Sequence, residues 1–227
     1  MTDKPIIEVK KIAVLGGTGK EGKVLAYRWA KAGLEVVIGS RIIEKAQVAA
    51  DDLNQKNNDA KYMVKGMENL EAARWCDLAV LTVPFSAHLQ MLESMKNSLN
   101  GKILIDVTVP LLPPKVTKVQ MPPAGSAAQE AQNFLGESTQ VVAAFQNISY
   151  ERLLNDEEVD CDVIVCGTGK EARKVVIDLV EKPGMTGWDG GVIENSVVVE
   201  CMTSILIGLN KQFEGHAAGI KITGIPR

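Results

Sequence analysis

Histidine is nearly missing from this sequence, which carries only His88 and His216 in 227 residues. Chemistry that needs several imidazoles, as metal ligands or as a proton relay, has little to draw on. Cysteine is sparse and scattered: Cys76, Cys161, Cys166 and Cys201 form no C-x-x-C pair and sit among apolar neighbours. They read as buried thiols, not as a disulfide or zinc framework, and no metal is expected. No run approaches the roughly eighteen apolar residues of a membrane helix, and the opening MTDKPIIEVKK lacks the apolar core of a signal peptide. The expectation is a cytoplasmic protein without a membrane partner. Basic runs are also lacking: 25 basic and 28 acidic residues are dispersed at a net charge of -3, which argues against nucleic acid.

What is present is an alternation of apolar runs and helical periods. Residues 11–17 read as a buried strand, 20–32 as a helix stopped by Gly33, 34–40 as a second strand and 42–57 as a second helix ended by the polar stretch NQKNND. A third strand is expected over 61–66, a short helix over 70–75, a fourth strand over 77–84, a helix over 85–99 and a fifth strand over 101–110. Apolar strands separated by helices imply a doubly wound, Rossmann-type α/β protein with a parallel sheet covered on both faces. The segment holding Pro110, Pro113, Pro114, Pro122 and Pro123 can be neither helix nor central strand and reads as an ordered loop or flap. A helix over 126–135, strands over 139–145 and 160–167, a helix over 170–182 and an apolar helix over 194–213 follow. The last is apolar on most faces, so a buried or subunit-interface position is expected, and with it a homodimer. The expected organisation is a nucleotide-binding domain over 1–147 and a small C-terminal domain over 148–227.

The first helix is entered through Gly17-Thr18-Gly19-Lys20-Glu21-Gly22, a G-x-G-x-x-G placed directly after a strand. Gly17 is expected to make the tight turn, Gly19 to let the backbone approach a pyrophosphate, and Gly22 to let helix and strand pack closely. The helix N-terminus then offers N–H groups and a positive dipole end to phosphate. An enzyme using NAD places a carboxylate at the end of the second strand to hold the ribose 2'-hydroxyl. Here the residues are Gly39-Ser40-Arg41. Ser40 can donate a hydrogen bond, Arg41 offers a planar charged fork to a 2'-phosphate and Lys45 adds charge one helical turn on, so NADP is favoured.

Leu81-Thr82-Val83-Pro84-Phe85 lies at the C-terminal end of the fourth strand, on the carboxyl edge where open α/β sheets bind ligands. It is expected to line the nicotinamide ribose pocket, although Phe85 reads equally well as a packing residue. His88 reads as a packing or surface residue on the next helix. His216, near the C-terminal glycines, is as open to a functional contact as to a structural one. Asp106 and Asp189 show no partner in the sequence and receive no role. No constellation of a catalytic nucleophile and base shows in the sequence, and none is expected. These residues leave the second substrate open. A flavin, an imine, a quinone or ferric iron would serve, and so would a non-catalytic role as an NADP sensor.

With VLGGTGKEGK, GSR-x-x-EKA, LTVP, VVAAFQNIS, VIVCG and HAAGIKITG, the chain resembles the NADPH-dependent reductases of the deazaflavin coenzyme F420 over nearly its whole length. The resemblance implies hydride transfer between NADP(H) and coenzyme F420 in a cleft between the Rossmann domain and the C-terminal domain. By matching position, Thr18, Gly19, Lys20 and Glu21 would lie by the pyrophosphate and Ser40, Arg41 and Lys45 on the 2'-phosphate. Val83, Pro84 and Phe85 would sit at the nicotinamide end together with Ile148. The deazaflavin pocket maps onto Gln146, Asn147 and Ile148 and onto Gly219 and Ile220. Gln146 stands where many members carry histidine, and Tyr150 where they carry a small residue. Lys115 and Lys118 of the proline-rich loop are expected to attract the acidic tail of the deazaflavin.

Overall fold

A computed structural model describes residues 8–57, 60–154 and 158–226. The first seven residues, which include most of the segment on which the expectation of no signal peptide rests, lie outside the described residues. Part of the polar stretch expected to end the second helix does so as well.

The sheet is built from β1 (Lys11–Leu15), β2 (Glu35–Ser40), β3 (Lys65–Glu68), β4 (Leu78–Leu81), β5 (Ile103–Asp106), β6 (Gln140–Ala143), β7 (Asp162–Gly167) and β8 (Thr186–Gly191). Its eight strands run in the order β3-β2-β1-β4-β5-β6-β7-β8. The first six are mutually parallel; β7 pairs antiparallel with β6 and parallel with β8. The chain doubles back between β1 and β4, which opens a crevice above their carboxyl ends. The expected boundary at residue 147/148 falls shortly after β6, and β7 and β8 beyond it extend the same sheet.

Alternation within each strand sends side chains to both faces, and both are buried. Ile12 and Val14 join one core with α1 (Lys20–Lys31), α2 (Ile43–Lys56) and α7 (Lys170–Glu181). Ala13 and Leu15 join the other with α3 (Asn69–Trp75), α4 (His88–Met95) and α5 (Ala127–Leu135). Burial on both sides is why these strands read as continuous apolar runs. Trp29 of α1 is fully buried, stands edge-on to Phe145 at 5.7 Å between ring centroids, and donates from Nε1 to Leu179 O at 2.8 Å. Buried Arg28 donates from Nε to Leu153 O in the short α6 (Tyr150–Leu153) at 3.1 Å. The first helix is thereby tied to the last third of the chain.

Two local readings are corrected, and one strand is added to them. The third strand lies at Lys65–Glu68 instead of 61–66, because its pairing with Val37–Ser40 sets the register. The helix expected over 85–99 is divided: a 3-10 turn at Phe85–Ala87, α4, and a second 3-10 turn at Lys96–Ser98. Residues Thr186–Gly191, which have the composition of a turn, form the edge strand β8. A Cβ on Gly190 would come within 2.6 Å of Cys166 Sγ, so its backbone lies against β7 where a side chain would not fit.

The long C-terminal helix α8 (Ser196–Gln212) buries Val199 and Leu206 together with three polar residues, and leaves other apolar residues outward. Ser196, Glu200 and Ser204 are buried, whereas Val198, Ile205 and Leu209 are 60%, 50% and 40% exposed. No helix among the described residues is long and apolar enough to cross a membrane.

Candidate functional site

The glycine turn joins β1 to α1 at the point where the sheet order reverses. Gly16 adopts φ +69°, and a Cβ there would lie 2.4 Å from Val83 Cγ1. Gly17 donates its N–H to Gly39 O at 3.0 Å, bracing the turn against β2. A Cβ on Gly22 would meet Gly17 Cα at 2.6 Å and Thr82 Oγ1 at 2.8 Å, so only glycine lets α1 come this close. Around Gly19 the situation is reversed, with nothing within 4 Å of a Cβ position. Gly19 is also the N-cap of α1, and no side chain caps that terminus. Open space, uncapped amides and the positive end of a twelve-residue helix make a place for phosphate.

A cavity of about 580 Å³ extends from this turn along the carboxyl edge of the sheet. It gathers Thr18 and Gly19 from the turn, Ser40, Arg41 and Lys45 from the end of β2 and the start of α2, and Val83 and Pro84 from the end of β4. Ser40 is buried and its Oγ accepts from Ile42 N–H at 3.2 Å, whereas Arg41 and Lys45 are exposed. Two cations beside a helix N-terminus oppose the helix dipole unless an anion lies between them.

Other expected residues stand apart from the cavity. Lys20 turns aside: its Nζ donates to Tyr150 Oη at 3.0 Å and lies 4.9 Å from the ring centre. Glu21 has a buried Oε1 without a partner, and burial pushes its carboxyl pKa up to about 8. Phe85 is half-buried, with its ring stacked on His88. Gln146 and Asn147 are buried. Gln146 Nε2 donates to Asp106 O at 2.7 Å, Asn147 Nδ2 donates to Val199 O at 2.9 Å, and Gln146 Oε1 has no partner. Ile148 is buried in the core that holds Trp29. Gly219 packs on Cys161, and Ile220 O accepts from Asp162 N–H at 2.8 Å, so the C-terminal segment lies along β7. His216 is exposed, as are Lys115 and Lys118.

Several residues escaped the sequence reading. Asn69 lines the cavity, its Oδ1 accepts from Gly16 N–H at 3.0 Å, and its buried Nδ2 has no partner. Thr82, which the sequence placed in the turn ending the fourth strand, donates from Oγ1 to Leu15 O at 3.1 Å and lines the cavity. Asp106 and Asp189, read without partners, both have them: Asp106 bonds His88 Nε2 at 2.7 Å, and Asp189 Oδ1 accepts from Arg173 Nε at 2.6 Å. The hydrogen bond from Arg173 holds Asp189 below the usual carboxylate range. His88 is neither a surface residue nor plain packing, because both ring nitrogens engage carboxylates across elements.

The strand order, the switch point between β1 and β4 and the glycine turn on α1 define a Rossmann-type dinucleotide-binding protein. Among known sequences, the family described as NADP oxidoreductase, coenzyme F420-dependent, matches residues 11–110. The F420-dependent NADP reductase of Methanocaldococcus jannaschii is 41% identical over 95% of this chain and 99% of its own. That of Methanothermobacter marburgensis is 43% identical over 95% and 99%. The chain therefore belongs to the coenzyme F420-dependent NADP oxidoreductase family. In shape it is similar to a putative F420-dependent NADP reductase from Arthrobacter, with a TM-score of 0.78 at 23% identity, covering 97% of this chain and 100% of that one.

Proposed function

We propose that this protein transfers a hydride between NADP(H) and the deazaflavin coenzyme F420, working in the cytoplasm as a homodimer. The observation that carries the reading is the cavity that joins the uncapped glycine turn to Ser40, Arg41 and Lys45 on one side and to Val83 and Pro84 on the other. The F420-dependent names of its full-length relatives support the acceptor.

The nicotinamide and deazaflavin rings supply the redox chemistry, and the residues of this chain supply position. Ser40, Arg41 and Lys45 hold the 2'-phosphate. Gly17, Thr18, Gly19 and Gly22 shape the pyrophosphate seat. Lys20 and Glu21 contribute backbone N–H groups there, since the Lys20 ammonium is held by Tyr150 and the Glu21 carboxyl is buried. Asn69 adds its free Nδ2 as a donor. Val83, Pro84, Phe85 and Ile148 form the nicotinamide end. Gln146, with its unpartnered Oε1, accepts from a ring N–H of the deazaflavin beside Asn147, Gly219 and Ile220. Residues 1–147 thus bind NADP, and 148–227 complete the cleft. Lys115 and Lys118, exposed on the proline-rich loop, draw in the acidic deazaflavin tail. A double Lys115→Ala/Lys118→Ala variant should then raise the KM for the deazaflavin at low salt; an unchanged value removes that role.

The function is tested by mixing the purified protein with NADPH and oxidised coenzyme F420 and following both absorbance bands. Loss of the two together in equal amounts is expected. Binding of NADPH with no oxidation by the deazaflavin, or equal turnover of flavins and quinones, would overturn the proposal.

A further inference from the structure

His88, the first residue of α4, is fully buried and held from two sides. Its Nε2 lies 2.7 Å from Asp106 Oδ2 at the end of β5, and its Nδ1 lies 3.2 Å from Glu130 Oε1 on α5. Asp106 Oδ1 in turn accepts from Thr108 N–H at 2.9 Å, so both of its oxygens act as acceptors. With a carboxyl oxygen at each ring nitrogen, both carboxylates favour the doubly protonated imidazole, which can donate to each. Burial pushes the His88 pKa down, and the hydrogen bonds and charges of Asp106 and Glu130 more than reverse this and raise it. A further titratable group coupled to the cluster is Glu200 on α8, whose carboxyl accepts from Ala127 and Ala128 N–H at 2.7 and 3.1 Å. Burial holds Glu200 up at about 8, a direction to which the Asp106 charge adds.

A buried ion cluster of this kind is a poor source of stability, since well-packed apolar residues often do as well. Its position gives it another use. One face of the His88 ring stacks on Phe85, with centroids 5.9 Å apart and planes inclined by 30°. Asp106 O accepts from Gln146 Nε2 at 2.7 Å, and Gln146 O accepts from Thr203 Oγ1 of α8 at 2.8 Å. A continuous line of contacts, Phe85–His88–Asp106–Gln146–Thr203, therefore crosses the carboxyl ends of β4, β5 and β6. In the proposed function Phe85 meets the nicotinamide and Gln146 the deazaflavin, and the role of His88 rests on that reading.

We propose that His88 is a positioning residue for hydride transfer, clamped between Asp106 and Glu130 so that the ring of Phe85 and the amide of Gln146 stay in fixed relation across the cleft. Hydride transfer is sensitive to small displacements of its two rings, so a loosened clamp acts on the transfer step more than on NADPH binding, which is held at the far end by Ser40, Arg41 and Lys45.

The test is single-turnover hydride transfer from NADPH to coenzyme F420, measured against pH, with NADPH affinity measured separately. His88→Gln keeps a neutral hydrogen-bonding group and should slow transfer by about 10- to 100-fold at unchanged NADPH affinity. The native protein should lose transfer rate as pH rises and His88 gives up its proton. Glu130→Gln removes one supporting carboxylate and should move that loss to lower pH. A His88→Gln protein with native transfer rate and native pH profile overturns the role. If that variant does not fold, an alkaline loss of rate that Glu130→Gln leaves in place overturns it as well. Failure of the native protein to bind NADPH would strike at the proposed function, whereas normal native turnover with an indifferent His88→Gln strikes only at the clamp.

Discussion

At the mouth of the cavity Arg41 is exposed, and its value lies in what it meets there. A bidentate pair with a 2'-phosphate is available to NADPH and absent from NADH. Arg41→Ala is expected to weaken NADPH binding by about 1–3 kcal/mol and NADH binding far less. Titration of both nucleotides decides it, and equal losses would remove Arg41 from the 2'-phosphate. Glu21 bears on stability. Burial raises its carboxyl from 4.5 to about 8, so the native state keeps a proton that the unfolded chain releases. Native protein binding more protons means stability falls as pH climbs from about 4.5 through about 8, and Glu200 contributes with the same sign. Glu21→Gln should raise stability at pH 8 by about 1–3 kcal/mol, with little gain near pH 4.5. Urea unfolding at the two pH values measures it, and no gain at pH 8 would refute the buried acid. That Ser40, Arg41 and Lys45 come together at one cavity was legible because a loop position after a strand announces itself within a few residues. Asn69, His88 and Asp106 were not, because what gives each its role lies elsewhere in the chain: Gly16 is 53 residues from Asn69, and Glu130 is 42 from His88.

Among the elements, α1 sets the glycine turn that closes one end of the cavity, and its approach to Gly17 and Thr82 depends on Gly22. Gly22→Ala puts a methyl 2.6 Å from Gly17 Cα, against backbone that cannot swing aside. The helix must shift, at a cost of about 1–3 kcal/mol, and carry the pyrophosphate seat with it. A lowered melting temperature together with a large loss of NADPH affinity is expected, and an alanine variant that binds NADPH normally would contradict the close approach. The elements that sequence patterning located well are those with a single period, α1, α2, α7 and the inner strands. Thr186–Gly191 received no reading because Gly187, Gly190 and Gly191 carry no strand period, while the close approach to β7 at Gly190 leaves no room for a side chain. The break in the helix after Phe85 was invisible for a different reason. It falls beside His88, whose two carboxylate partners come from other elements, so the local helical period carries no trace of it.

On the scale of the whole molecule, α8 is the element whose composition and surroundings disagree. Its buried side carries Ser196, Glu200 and Ser204 beside Val199 and Leu206, with Ser196 and Glu200 bonded into the network under α5, while Val198, Ile205 and Leu209 point outward. Phe213, just beyond its end, is 71% exposed. Positions 198, 205 and 209 fall on one stripe of the helix, so these side chains form a continuous apolar ridge. A helix of 17 residues is about 25 Å long, enough to seed a two-fold contact that covers on the order of 800 Å² on each partner once neighbouring surface joins it. The apolar period read from the sequence is therefore real, but the tertiary fold leaves it uncovered, and the proposed homodimer supplies the cover. In a two-fold contact each substitution acts twice, so Ile205→Lys/Leu209→Lys brings four ammonium groups together in an apolar seam. Light scattering of the native protein should give twice the 24.5 kDa chain mass, and the double variant should give the chain mass itself with secondary structure intact. A native protein that is already monomeric, or a variant that stays dimeric, would separate this ridge from assembly. NADPH affinity should survive in the monomer, because the turn, Ser40, Arg41 and Lys45 all lie at the opposite half of the sheet, beside β1 and β2.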